Sequence, residues 1–355
     1  MLRSAWGRAW VLLAALASSG CVHRISDDKS TVGETRGECV VPAPLGVPEL
    51  AAPVSLEYPD ASLWIWDSLT TDDGGVVANP SARVASHSDP CGRGPNLARD
   101  AAGAPRSLLA LSSEELADNA ARSDGRQLVL SARGGFVHDD VGYLYYEHAL
   151  VGPGVFDVEE LGTGLCVVSD PEQPCERILK GESSVLWAAD EWPKNQGGMI
   201  DGERAYVLGC RRIASFDTPC VISSVPLDRV RDPSAYRYFD AFNGWVEAPE
   251  SASVVLNWAG AVTLGRADGR YVATNLDIFD ARVSVRFAPT PTGNFGMPID
   301  LFRGQAPNEG FARGGREHSA LRSRDRSLAF TYFVADEGPG HGLHLIDFEL
   351  NGGLE

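Results

Sequence analysis

An all-β fold, a five-bladed β-propeller, is predicted by three features of this sequence. An aspartate followed three or four residues later by a short run of strand-forming residues occurs five times: Asp60 before LWIW, Asp140 before YLYY, Asp201 before AYVL, Asp268 before YVAT and Asp325 before LAFTY. Four of these five aspartates are preceded by a second short element of small and apolar residues, at Gly134 to Val137, Gly197 to Ile200, Ala259 to Val262 and His318 to Leu321. The 38 glycines and 22 prolines supply turns, and no long stretch places apolar residues at helical spacing. A strand, an Asp-bearing turn and a second strand, repeated several tens of residues apart, is the pattern of propeller blades. Such a fold puts function where the loops entering the first strand of each blade converge on the central channel.

The chain divides into three segments. Residues 1–20 read as an export leader: Arg3 and Arg8 form a basic start, Trp10 to Ala17 an apolar core too short to span a bilayer, and SSGC a small-residue cleavage region. This is similar to a bacterial lipoprotein signal, with Cys21 as the lipidated new N-terminus and Ser18 where the pattern usually has leucine. Cleavage after Ala17 is the competing reading, and would leave Cys21 as a thiol. Residues 21–46 are polar and irregular and read as a tether; residues 47–355 read as the propeller, its last strand ending near Glu349. One helix is predicted, Ser112 to Ser123, with Ser112 and Glu115 placed for a capping box; it reads as an excursion between blades. Ala288 to Asn294 reads as a loop.

Cysteine parity fits an oxidising compartment. Of seven cysteines, assigning Cys21 to the lipid leaves six. Proximity pairs Cys166 with Cys175 and Cys210 with Cys220, leaving Cys39 with Cys91 to tie the N-terminal segment to the first blade. The absence of any CxxC pair argues against zinc, and nothing calls for a metal or cofactor. A formal charge of −17 leaves no basic stripe for nucleic acid. GxSxG, HExxH and GxxxxGK[ST] are absent, so serine hydrolase, zincin and P-loop readings lack an anchor.

The run VPLDRVRDPSAYRYFDAFNGWVE, Val225 to Glu247, follows DGERAYVLGC and precedes GAVTLGRADGRYVATN and RVSVRFAPTPTGNFGMPIDLF. In order and spacing these segments resemble a bacterial domain family long labelled as of unknown function, whose members are five-bladed propellers and include endo-D-arabinanases. LWIWDS resembles that family's hydrophobic strand followed by Gly-Asp-Thr/Ser, and REHSALRSRDRSLAFTY its last blade. The architecture is also similar to that of arabinanase, xylosidase and fructan-hydrolase propellers. The resemblance implies a polysaccharide partner, arabinan or an envelope glycan, while the leader and Cys21 imply membrane contact through a lipid anchor only. It also implies a pair of carboxylates, one protonating the leaving oxygen and one acting as nucleophile or activating water.

On that basis Asp67 is the leading candidate, at the position of the family's aspartate, with Trp66 where the family has glycine. The Thr-Asp-x-Gly letters expected upstream occur instead at Thr71 to Gly74, in what reads as a polar turn, and Glu49 is the acid nearest the expected place. Glu317 is the second candidate acid. Around the presumed hub, His138, Asp139, Trp192, Asn195, Trp258, Arg316 and His318 offer the flat rings and fixed donors that a sugar site needs. Each also has a plain packing role to fill: Trp192 and Trp258 between blades, Arg316 with Glu317 as a rim ion pair, and the repeat aspartates as turn residues. A catalytic propeller, a non-catalytic glycan- or protein-binding propeller and a structural envelope component all fit. In a Gram-negative cell Val22, after Cys21, would direct the lipoprotein to the outer membrane.

Overall fold

The computed structural model describes residues 33–351, apart from 46, 48–49, 87–89, 155–156, 193, 195, 212, 214–217, 258–260, 279, 294, 305–311 and 335–340. Five antiparallel sheets form the blades of a propeller. Their innermost strands are Val54–Glu57, Gln127–His138, Gly198–Asp201, Val262–Ala267 and Ala312–Glu317. Each runs from the channel mouth to the opposite, turn face, where the repeat aspartates lie. Asp140 and Asp268 adopt left-handed backbone there, at φ 60° and 50°, a conformation aspartate tolerates in tight turns. Leader, Cys21 and Glu49 lie outside the described residues.

The short apolar runs are second strands buried on both faces, which is why they read as continuous rather than alternating. In Ala61–Ile65 and the residue after it, Leu63 and Ile65 pack toward blade 2 while Trp64 and Trp66 pack toward blade 5. In Val141–Val151, Leu144 and Tyr146 face blade 1 while Tyr143 and Tyr145 face blade 3. Further clusters fill the gaps between blades 3 and 4, around Leu264 and Tyr271, and between blades 4 and 5, around Val283 and Phe330. Each fully buried large apolar side chain contributes about 1.5–3 kcal/mol, so the core is a ring of five interfaces.

Two boundaries differ from the sequence expectation. Gly33–Val41, within the segment read as tether, is the outermost strand of blade 5 and pairs with the C-terminal strand Gly342–Leu350 from Gly33↔Leu350 to Val41↔Leu343. Its polar composition suits a blade edge with one wet face. In blade 5, His318 to Leu321 is not the first strand; Ser319–Leu321 is a single 3₁₀ turn, and the strand precedes it at Ala312–Glu317. In ARGGRE the glycine pair is followed by Arg316 and Glu317 rather than by apolar residues, so nothing marks it as a strand.

All three disulfides join the partners expected: Cys39 with Cys91, Cys166 with Cys175, and Cys210 with Cys220. The first links the edge of blade 5 to blade 1 and so reinforces the closure. The helix spans Ser113–Ala121 between blades 1 and 2 with both capping-box bonds formed. Thr71 to Gly74 is the turn of a hairpin joining Ser68–Thr70 to Val76–Ala78.

Candidate functional site

The innermost strands approach closely at the hub. Gly134 and Gly197 both have positive φ, 124° and 80°, and a Cβ on Gly134 would sit 3.1 Å from the Gly197 Cα. Close backbone contact of this kind requires glycine. It leaves a central cavity of about 30 Å³, lined among others by Ser55, Arg133, Gln196, Thr263, Arg316 and Glu317. One water needs about 10–15 Å³ of such space, so the cavity takes only a small polar group. A sugar ring therefore has to sit above it, at the mouth.

Arg133 organises the mouth. The pairing of the first two strands of blade 2 slips between Ala132 and Gly134, so Arg133 occupies a bulge, a device that re-aims a side chain. Its Nε and Nη2 donate to Glu147 Oε2 at 2.6 and 2.5 Å, and its Nη1 stands 4.0 Å from Asp67 Oδ2. Glu147 is nearly buried, whereas 59 % of the Asp67 side chain is exposed. Burial alone would pull the guanidinium pKa down, but Glu147 and Asp67 outweigh it and raise it. Arg316, in the bulged first strand of blade 5, is buried and donates from Nη1 to Val262 O at 2.8 Å. Burial, and then the like charge of Arg133, lower its pKa to about 10 against the pull of Asp67.

The structure separates the residues that the sequence grouped. Asp67 is at the mouth, beside Arg133. Glu317 is buried, with Arg322 Nε donating to its Oε1 at 2.6 Å, so its partner is Arg322 and not Arg316. His318 is fully buried, bonded to Ser55 Oγ at 2.9 Å through Nδ1 and to Thr331 Oγ1 at 2.7 Å through Nε2, and tilted 5.2 Å from Trp64. It offers nothing to a ligand. Glu57 stands 3.7 Å from His318 and accepts from Ala320 N; burial opposes its ionisation, but His318, Ser55 and Ala320 together bring its pKa below the usual carboxylate range. His138 and Asp139 end the first strand of blade 2 on the turn face, away from Asp67, with His138 Nε2 3.4 Å from Asp139.

Trp192 does not present an open ring. It is 9 % exposed, packs on Val221 and Tyr238, and carries the Arg211 guanidinium 4.7 Å from its ring centre. Its φ of 60° is a left-handed conformation that bulky residues rarely adopt. The carbonyl of Trp192 accepts from Lys194 Nζ, which is fully buried over the Tyr238 ring and bonded to its hydroxyl. Trp66 does not plug the hub: it is fully buried in the interface between blades 5 and 1, with Nε1 donating to Ala51 O. Asn195 and Trp258 lie outside the described residues.

Arg133 and Glu147 escaped the sequence reading. A charged residue beside a glycine pair recurs in Arg133-Gly134-Gly135 and Gly314-Gly315-Arg316, and that recurrence is the signal that marks both arginines. The larger hollows open on the turn face: about 500 Å³ around Glu57, Asp139 and Asp140, and about 810 Å³ along Arg266, Arg322 and Arg326, adjoining at Pro59, Ser319 and Ala320.

No family model matches the chain, and no curated protein matches it. Solved structures do. A candidate hydrolase from Bacteroides ovatus aligns over 93 % of this chain and 97 % of its own, at 11 % identity and a TM-score of 0.58. The GH43_1 enzyme from Xanthomonas citri, solved with xylotriose, aligns over 88 % of this chain and 89 % of its own, at 14 % identity and a TM-score of 0.51. At these identities the likeness is one of fold: the chain shares the propeller architecture of these structures.

Proposed function

We propose that this chain is a glycan-binding propeller of the bacterial cell envelope, exported, lipidated at Cys21 and held on the outer membrane, which engages a polysaccharide at the mouth around Arg133, Asp67 and Arg316. The observation that carries the reading is the state of the carboxylates. Glycoside hydrolysis needs a carboxylic acid that still holds its proton in the resting site, beside a second, ionised carboxylate. Glu147 is engaged by two nitrogens of Arg133 and Glu317 by Arg322, so both inner acids are already held by guanidiniums and neither is turned toward a glycosidic oxygen at the mouth. Asp67 is left as an exposed acceptor beside a fixed guanidinium, a pairing suited to vicinal sugar hydroxyls.

Hydrolysis, in the form of an endo-D-arabinanase-like activity, is the second reading. It is favoured by one arrangement: Asp67 and Glu147 flank the same guanidinium at one mouth, so loss of the Arg133 contact on substrate arrival would free a carboxylate pair. Retention of D-arabinan, xylan and polygalacturonate by the purified chain, together with the size of the recovered polymer, separates the two. Retention without shortening is expected, weakened about tenfold for neutral polymers by Asp67→Asn, which removes one charged acceptor. Oligosaccharides that disappear in Asp67→Asn would establish the hydrolase, and no retention of any polymer would overturn both.

A further inference from the structure

Arg316 is a buried charge that the described residues do not pair. It is 8 % exposed, its Nη1 is used by the Val262 carbonyl, and no carboxylate among the described residues forms an ion pair with it. The charges that act on it at the mouth are Arg133 and, more weakly, Asp67, and the charge of Arg133 is already met by Glu147 through Nε and Nη2. Removing a charge from water without a partner is costly, and natural proteins seldom tolerate it outside functional sites. Two guanidiniums thus face one small cavity, one of them without an ion-pair partner among the described residues and the other with Nη1 met only by Asp67 at 4.0 Å. The opposite charge they share, Asp67, stands off in solvent at 4.0 Å from Arg133.

We propose that the glycan engaged at the mouth carries a carboxylate, as a uronic acid residue does, and that this group inserts between Arg316 and Nη1 of Arg133. The inference rests on the mouth being the glycan site and adds the substrate class. The cavity of about 30 Å³ accepts a group of carboxylate size and excludes a ring, so the acid descends while the sugar stays above. Planar bidentate recognition of a carboxylate is what arginine does and lysine does not. The formal charge of −17 repels an anionic polymer at long range, so the preference arises at contact and is expressed in slow dissociation rather than fast association.

The test is equilibrium binding of the purified chain to trigalacturonate, to its methyl ester, to xylotriose and to acetate alone. Trigalacturonate is expected to bind about tenfold more tightly than its methyl ester, the increment of a charge-assisted pair over a neutral one. In Arg316→Gln the acid and the ester converge, the acid losing about tenfold more affinity than the ester does. Asp67→Asn, at an exposed position that leaves folding intact, widens the preference for the acid, because the competing carboxylate is gone. Equal binding of acid and ester by the unsubstituted chain overturns the inference and leaves the glycan site standing; no binding of any oligosaccharide overturns both. Acetate competing as well as trigalacturonate removes the glycan from the proposal. Should Arg316→Gln fail to fold, an acid preference unchanged or reduced in Asp67→Asn overturns it.

Discussion

Lys194 shows how a single buried group shapes the region beside the mouth. Its amine is enclosed by Trp187 and Tyr238 and donates to the carbonyl of Trp192, the residue held at φ 60°. Burial lowers its pKa from 10.5 to about 7, against a weaker opposing pull from Glu191. Because the folded value is the lower one, the unfolded chain binds a proton that the folded chain does not between about pH 7 and 10.5. Stability from this group therefore rises with pH across that window and is lost as pH falls through about 7. Lys194→Met is expected to flatten the slope, with its largest gain in melting temperature at neutral pH; a slope unchanged by the substitution contradicts the assignment. The sequence could not show that Lys194 is enclosed, since Tyr238, whose ring and hydroxyl it meets, lies 44 residues further along the chain. Asp67 was legible because it ends a conspicuous strand. Glu147 was not, because nothing in YLYYEHAL says which of two buried faces the glutamate joins.

Closure of the ring rests on one element that the sequence disguised. Glu38, on the outermost strand of blade 5, accepts from Tyr332 at 3.1 Å and pairs with His344 at 3.0 Å, all three enclosed between the N- and C-terminal strands. Removing Glu38 takes a buried acceptor from both Tyr332 and His344, so Glu38→Ala is expected to cost about 3 kcal/mol in chemical denaturation. Were the segment a tether, the substitution would stay within about 0.5 kcal/mol, the range of ordinary surface changes. At the hub, a Cβ on Gly197 would meet Gly135 N at 3.3 Å and force a left-handed φ on a side chain. Gly197→Ala is accordingly expected to destabilise by about 2 kcal/mol, seen as a lower unfolding midpoint. Second strands were readable from composition because both their faces are buried. Glycine-rich first strands were readable where apolar residues follow the glycines, as in blades 2 and 3, but not where charged ones do, and charge-rich edge strands were not, which is why blade 5 lost its first strand and its outermost to other readings.

At the scale of the molecule, periodicity specified the number of blades and the place of the channel, since a repeat that cannot bury its faces alone has to stack. It could not say what the hub would look like. Five innermost strands, three of them carrying glycine pairs, close the channel to about 30 Å³ and move any glycan to the rim. The candidate residues were assigned to one site from their order in the chain. They divide between two faces because His138 and Asp139 follow a first strand, whereas Trp192 and Lys194 precede one. The mouth is proposed as a glycan site whose inner carboxylates are held by arginines. The most direct measurement is the size distribution of D-arabinan, xylan and polygalacturonate after incubation with the purified chain, read beside the fraction retained. Polymer retained at unchanged length is the expected result; shortened chains produced by the unsubstituted protein and absent with Asp67→Asn would contradict it.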